Sequence, residues 1–259
     1  MRIVLLTDGS GAGLAHDIAE QLGKGDTLDV VVPVTRDMWA NGLKCSPDLD
    51  AFLTLPRTAP PTFAVADELA AVGFSPSWMR PTDSNIAVQI VRTELLQARY
   101  TLTDATTAMS ARASLPFRLL PVSDDRAELH VVVDESDGRR ALHVEEFLAG
   151  PHDSQPVGIT IVTRAWAASA SVGAALDTAD AIVLGPSSPV VALGPLLAAP
   201  GLRDHLTAPV LEVERDATEP TGLDDFAALA PPSLPPATRV QNNATDVVAA
   251  ARDAVGVRR

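Results

Sequence analysis

The sequence predicts an α/β fold on a mostly parallel sheet, with an added β-hairpin. Three observations carry this. Short apolar runs alternate with amphipathic helical segments across polar or Gly-rich loops, the order of a parallel sheet with crossover helices. Ala181–Leu184 is continuously apolar and stops at Gly185-Pro186, which suits a central strand buried on both faces. Leu129–Val133 and Arg140–Phe147 flank Asp134–Gly138, whose Asp-Gly step signals a hairpin with a five-residue connection.

In order, Ile3–Leu6 reads as a strand and Leu14–Leu22 as a helix with Leu14, Ile18 and Leu22 on one face. Between them, Thr7–Gly13 contains Gly9, Ser10 and Gly11. Such a loop either cradles a phosphate on its N–H groups or simply makes a tight turn, and Asp8 brings negative charge to the anion's place. Leu28–Val32 is a second strand. After it, Asp48 and Asp50 follow Pro47, and they either bind a hard cation or cap and open a helix. Residues 56–62 read as a loop, and Asp67–Val72, Asn85–Ala98 and Thr101–Arg112 as helices. Arg92 within the second of these is either salt-bridged or turned toward an anion. Phe117–Leu120 is a strand that ends at Ser123, Asp124 and Asp125, and Gly158–Val162 is another. Val172–Asp177 reads as helix, as does Leu196–Leu206 with a break at Pro200-Gly201. Pro209–Val213 is a last strand. Residues 214–236, rich in Pro, Asp and Ala, read as a surface excursion, and Thr245–Val255 as a helix docked on the sheet.

Parallel sheets bind ligands beyond the carboxyl ends of their strands. The turn Gly185-Pro186-Ser187-Ser188 is therefore either a plain strand exit or a ligand-facing turn with a closely approachable backbone and two hydroxyls.

Composition narrows the function. The net charge of −13, with lysine only at Lys24 and Lys44, disfavours nucleic-acid binding. No apolar run has the ~20 residues of a membrane helix, and the opening run is too short for a signal peptide. The single cysteine, Cys45, rules out an internal disulfide and fits a reducing cytoplasm. There is no Gly-x-Ser-x-Gly elbow, no His-Glu-x-x-His and no lysine closing the glycine loop. What remains is hydroxyls and carboxylates at several strand ends. They suit metal-assisted or phosphate-handling chemistry better than acyl transfer. The residues by themselves lead to an α/β protein that binds a small phosphorylated ligand.

Several blocks carry a resemblance. They are the loop Asp8–Gly13, the segment Asn41-Gly42-Leu43-Lys44-Cys45-Ser46-Pro47-Asp48-Leu49-Asp50, and Trp78 through Gln89 running into Val91-Arg92-Thr93. Leu120-Pro121-Val122-Ser123-Asp124-Asp125, His143-Val144-Glu145-Glu146-Phe147 and Gly185–Pro195 complete the set. In order and spacing they resemble the 2-phospho-L-lactate transferase family of deazaflavin coenzyme F-420 biosynthesis, its actinobacterial branch in particular, over about residues 1–213.

The resemblance implies a Rossmann-like three-layer sandwich and a homodimer. It implies transfer of a phospholactyl or phosphoenolpyruvyl group from a guanosine-diphosphate-linked donor to a deazaflavin alcohol, with Mg²⁺. Gly9, Ser10, Gly11, Gly185, Pro186, Ser187 and Ser188 would serve the nucleotide and its phosphates. Asp48, Asp50 and Asp124 would be catalytic, Asp37 and Asp48 would hold the metal, and Arg36, Asp83, Arg92, Thr93 and Ser123 would meet substrate. Residues 1–213 would form the transferase-like domain, and 214–259 a shortened C-terminal region packed on it. The departures gather at the site. The family's Asn-x-Gly-Asp-Asp reads Pro33-Val34-Thr35-Arg36-Asp37, its Gly-Asp-Arg-Asp reads Thr82-Asp83-Ser84-Asn85, and its Pro-Ser-Asn reads Pro186-Ser187-Ser188. The alternative is thus a catalytically degenerate paralogue that binds a nucleotide or a partner subunit. Arg36 should weaken metal use if it points into the site, because a guanidinium donates hydrogen bonds and cannot ligate a cation.

Overall fold

Two strands set the frame. Strand β1 (Arg2–Leu6) is buried along Ile3–Leu6, and the whole of Ala181–Leu184 is buried as a strand beside it. The structure, a computed structural model, describes residues 1–257 except 55–59, 75, 77, 137, 151–154, 216–222 and 224–234. The first part of the 56–62 loop and most of the 214–236 excursion lie outside the described residues.

From β1 the chain passes through one short turn of 3-10 helix, Gly9–Gly11, into α1 (Ala12–Gln21) and β2 (Thr27–Val32). A small hairpin follows, β3 (Met38–Ala40) and β4 (Leu43–Cys45), which the periodicity reading does not contain. Its signal is present: Asn41 and Gly42 both take positive φ, 53° and 76°, the requirement of a tight two-residue turn. Then come α2 (Pro47–Leu53), α3 (Ala64–Ala71), α4 (Asp83–Gln97), α5 (Leu102–Ala113) and β5 (Arg118–Pro121). Thr82 and Asn85 form a capping box that starts α4, and Thr101 caps α5.

Strands β6 (Ala127–Glu135) and β7 (Gly138–His143) form the expected hairpin. Their pairing runs out to Glu135 and Gly138, so the connection is shorter than expected. The second strand is shorter too: Val144–Phe147 belong to a helix, α6 (Val144–Ala149), because His143 Nδ1 accepts the Glu145 N–H and caps it. Strand β8 (Gln155–Thr163) pairs with β6 and completes a three-stranded antiparallel sheet. The chain ends with α7 (Ala170–Asp177), β9 (Ala181–Leu184), α8 (Gly194–Leu197), β10 (Val210–Val213), β11 (Thr238–Val240) and α9 (Ala244–Val257). The helix expected over Leu196–Leu206 is two short pieces, α8 and a 3-10 turn at Leu202–His205, separated at Pro200-Gly201 as its sequence requires.

Among the described residues, six parallel strands form the main sheet in the order β11-β10-β9-β1-β2-β5. Counted by position in the chain, this is the order 3-2-1-4-5-6 read from the β5 edge. It is the doubly wound, Rossmann-like arrangement, in which ligands bind where the winding reverses. The reversal lies between β1 and β9. Among the described residues the apolar cluster of the antiparallel sheet, with Leu129, Val131, Val133, Leu142, Val144 and Phe147, includes Val190 and Val191 from the segment after β9 and no strand of the main sheet.

At the reversal the backbones come very close. Ile3 pairs with Ala181 and Leu6 with Leu184, and Gly185 N donates to Leu6 O at 2.8 Å. A Cβ on Gly185 would meet Thr7 Oγ1 at 2.5 Å and Thr7 Cβ at 2.7 Å. Gly185→Ala is therefore expected to destabilise the fold by about 1–3 kcal/mol in urea unfolding, the range of an overpacked core. Thr7→Ala should recover only part of the loss, since the Thr7 Cβ itself blocks the space. An unchanged midpoint for Gly185→Ala would refute the close approach.

Candidate active site at the sheet reversal

The carboxyl ends of β1 and β9 meet around one hydroxyl. Ser187 Oγ lies 2.9 Å from Thr7 Oγ1, accepts the Asp8 N–H at 2.9 Å and donates to Asp8 Oδ1 at 2.9 Å. All three residues are buried. Asp8 Oδ1 also accepts from Ser10 N at 3.0 Å and from Ser10 Oγ. From this knot the contacts continue outward. Gly9 N donates to Asp48 Oδ1 at 3.1 Å, Arg36 Nη1 donates to the same oxygen at 3.0 Å, and Arg36 Nε donates to Glu145 Oε1 at 2.6 Å. A continuous polar chain thus runs from Ser187 through the glycine loop and Asp48 to Arg36 and Glu145.

The glycine loop is not the open cradle its composition suggests. Asp8 N, Gly9 N, Ser10 N and Gly11 N all find acceptors inside the protein: Ser187 Oγ, Asp48 Oδ1, Asp8 Oδ1 and Asp8 O. The Asp8 carboxylate takes donors that a bound phosphate would otherwise take. An anion here has to draw its positive partner from elsewhere, and Arg36 is the cation bonded into this network.

Asp48 and Asp50 sit in the first turn of α2, but neither caps it. Asp50 pairs with the fully buried Arg92 and accepts from Gln89 Nε2 at 3.1 Å, while Arg92 Nη1 donates to Lys44 O at 3.2 Å. That cluster fastens α4 to α2 and β4. Thr93 belongs to it, accepting the Lys44 N–H and donating to Gln89 O. Asp83 is half-buried and accepts the N–H groups of Ala64 and Val65, tying the start of α4 to the start of α3. Asp124 accepts the Thr103 N–H at 2.7 Å at the start of α5, and Ser123 Oγ accepts from Asp125 N. Ser188 caps the turn at Val191. Of the nominated residues, Gly9, Ser10, Asp48, Arg36 and Ser187 form one network, and Gly11 and Gly185 pack on its Thr7. Pro186 lies between Gly185 and Ser187. Asp50, Asp83, Arg92, Thr93, Ser123 and Asp124 hold helices and turns, and among the described residues no direct hydrogen bond or ion pair joins them to that network, although Asp50 lines a cavity together with Glu145.

Burial, opposed by the Arg36 charge and reinforced by Asp8 and Glu145, pushes the Asp48 carboxyl up to about 7. Burial likewise raises Asp50 against the pull of Arg92. For Arg36, burial works against the charge, but Asp48, Glu145 and Asp8 outweigh it and keep the guanidinium protonated. Asp48 Oδ2 is buried without a hydrogen-bond partner among the described residues, so it is the oxygen left to carry a proton.

The residues present do not suit a protein-held Mg²⁺. Asp37 Oδ2 is engaged by Lys44 Nζ at 3.0 Å and Ser46 Oγ at 2.9 Å. Asp48 Oδ1 is shared by Gly9 and Arg36. Among the described residues no group of three or more His, Cys, Asp and Glu side chains is disposed to hold a metal.

Two cavities of about 400 Å³ flank the polar chain, one at each end. One opens at the ends of β9, β10 and β11, lined by Gly185, Ser187, Glu212, Glu214, Arg215 and Arg239. The other lies against α2, α4 and α6, lined by Pro47, Trp78, Met79, Pro81, Gln89 and Glu145 among others. Sequence reasoning did not nominate Thr7, Asp8 or Glu145, or the linings drawn from Trp78 and Glu212–Arg215. Asp8 and Glu145 were legible as acids beside nominated blocks. The β10–β11 lining was not, because it depends on a three-residue strand far along the chain.

The family model described as 2-phospho-L-lactate transferase CofD matches residues 3–231. A phosphoenolpyruvate transferase of Mycobacterium leprae is 38% identical over 209 residues, covering 74% of this chain and 63% of that protein. One from Mycolicibacterium smegmatis is 35% identical over 237 residues, covering 82% and 72%. The chain thus spans less than two thirds of the M. leprae relative. Among solved structures, a member of the UPF0052 family from Bacillus halodurans superposes with a TM-score of 0.58 at 16% identity, over 82% of this chain and 68% of that one, a likeness of fold. With a family match spanning nearly all of the main sheet and relatives of this similarity, the chain belongs to the CofD family of 2-phospho-L-lactate transferases.

Proposed function

We propose that the protein transfers a phospholactyl-type group, phospholactyl or phosphoenolpyruvyl, from a guanosine-diphosphate-linked donor to a deazaflavin alcohol. The observation that carries this reading is the pair of cavities joined by one polar chain at the sheet reversal. The cavity at β9–β11 takes the nucleoside, where Glu212 and Glu214 offer carboxylates to a base edge rich in donors. The cavity walled by Trp78, Met79 and Pro81 takes the flat aromatic acceptor. The reacting phosphorus then sits between them, beside Arg36 and Asp48. A homodimer in the cytoplasm completes the reading. No helix among the described residues is long and apolar enough to cross a membrane.

The step balances as follows. The acceptor oxygen forms a bond to the phosphorus that bears the lactyl group. The bond from that phosphorus to the bridging oxygen breaks, and guanosine monophosphate leaves with the electron pair. The alcohol proton passes to Asp48 Oδ2. Arg36 donates to the oxygens on which negative charge grows, the kind of fixed donor that counts most in such transfers.

Incubation with a synthetic guanosine-diphosphate-linked lactate and a deazaflavin alcohol, read by mass spectrometry, should give the phospholactyl product. GDP binding without any product would favour the degenerate paralogue instead. The base must be ionised, so kcat/KM should rise with pH through about 7, the level to which burial pushes Asp48 in the free protein. Asp48→Asn should lower kcat by roughly 10²–10⁴-fold and remove that rise. A rise that persists in the variant would move the base elsewhere.

Trp78→Ala is expected to raise KM for the acceptor about tenfold with kcat little changed, the cost of a lost aromatic wall. An unchanged KM would take the acceptor out of this cavity.

A further inference from the structure

Carboxylates gather on one guanidinium at the centre of the polar chain. Arg36 reaches Glu145 through Nε and Asp48 through Nη1, and the Asp8 carboxylate reinforces its charge. Asp8 and Asp48 are buried and Glu145 is partly so, and carboxylates gathered this way need a cation beside them. In diphosphate chemistry that cation is commonly an exchangeable divalent metal. Here it is part of the chain. A metal in this place would need Asp48 Oδ1 and Glu145 Oε1, which Arg36 already holds, and Asp37 is bound to Lys44 and Ser46. Asp48 Oδ2 is the buried oxygen of this group without a hydrogen-bond partner among the described residues, and no group of three or more acid, His or Cys side chains there is disposed to give the octahedral oxygen shell that Mg²⁺ demands.

Arg36 also has capacity to spare. Its side chain is 21% exposed, and two of its N–H donors are used by Glu145 and Asp48. A guanidinium carries five, in a planar fork that matches phosphate oxygens. We propose that Arg36 takes the place of a divalent cation at this site. It holds Asp48 and Glu145 together and turns its remaining donors to the diphosphate of a nucleotide-linked donor. The first half of this stands without any nucleotide; only the second rests on the function proposed above. Binding of a nucleoside diphosphate then needs no added metal.

Mn²⁺, followed by electron paramagnetic resonance, tests the first half. Wild type should leave the free Mn²⁺ signal unchanged, and Arg36→Asp should bind one Mn²⁺ per chain. Should Arg36→Asp fail to fold, Arg36→Asn serves: Mn²⁺ should raise its Tm and leave that of wild type alone. One Mn²⁺ per wild-type chain, lost in Asp48→Asn, would overturn the proposal, as would a folded Arg36→Asp that binds none. Calorimetry with GDP tests the second half. Wild-type affinity should be the same in EDTA and in excess Mg²⁺, and Arg36→Met should weaken it by about 10- to 100-fold, the loss of charge-assisted hydrogen bonds. Affinity that collapses in EDTA, or an Arg36→Met that binds as wild type does, would overturn it. Absence of GDP binding in every condition would refute the nucleotide reading and the second half with it, while the Mn²⁺ result would still decide the first.

Discussion

Ser187 Oγ joins the two halves of a doubly wound sheet. Winding runs one way from β1 through β2 to β5 and the other way from β9 through β10 to β11, so the first pair of strands carries both halves. Their ends are held in register by backbone pairing and locked by a single hydroxyl shared among Thr7, Asp8 and the turn after β9. Glycine at 11 and at 185 leaves room for Thr7 between them; a Cβ at either would lie within 2.5 Å of its Oγ1. The glycines of both turns are thus used first for close packing, and any service to a ligand follows from that packing.

The same constraint shapes the electrostatics. In a chain of net charge −13, the loop that opens α1 has placed an acid where anions usually bind. Asp8, with Asp48 and Ser187, satisfies the loop's donors from within, which stabilises the turn and weakens the loop as a source of positive potential. The antiparallel sheet offsets this. It delivers Glu145 to Arg36 through α6, while Leu129 N, donating to Thr35 O at 2.7 Å, and His143, 3.3 Å from Asp37 O, hold the segment after β2. Burial lowers the readiness of His143 to take a proton, consistent with Nδ1 acting as acceptor from Glu145 N. The added sheet acts on the site by fixing Arg36.

Much of the architecture was legible in the sequence because it rests on local pattern. Strands such as Ala181–Leu184 are continuous apolar runs, and α4 and α5 start on Thr caps. The site was legible less evenly. Gly9, Ser187, Asp48 and Arg36 lie in blocks whose spacing marks them. Asp83 and Asp124 look identical to site acids in a linear reading, yet each accepts backbone N–H groups at the start of a neighbouring helix. Asp50 and Arg92, 42 positions apart, could not be recognised as partners before α2 and α4 were placed side by side. A carboxylate's role depends on which donors face it, and those donors come from elsewhere in the chain. The Asn41-Gly42 hairpin is the reverse case, a local signal hidden inside a block read for other reasons.

The central claim is that two ligands meet across the polar chain from opposite cavities. Hydrogen exchange measured with each ligand alone tests it most directly. GDP should slow exchange at residues 185–188 and 212–215 and leave 78–89 and 145–149 as they were. A deazaflavin alcohol should do the opposite. Protection of the same segments by both ligands, or protection confined to α1 and α9, would contradict the account.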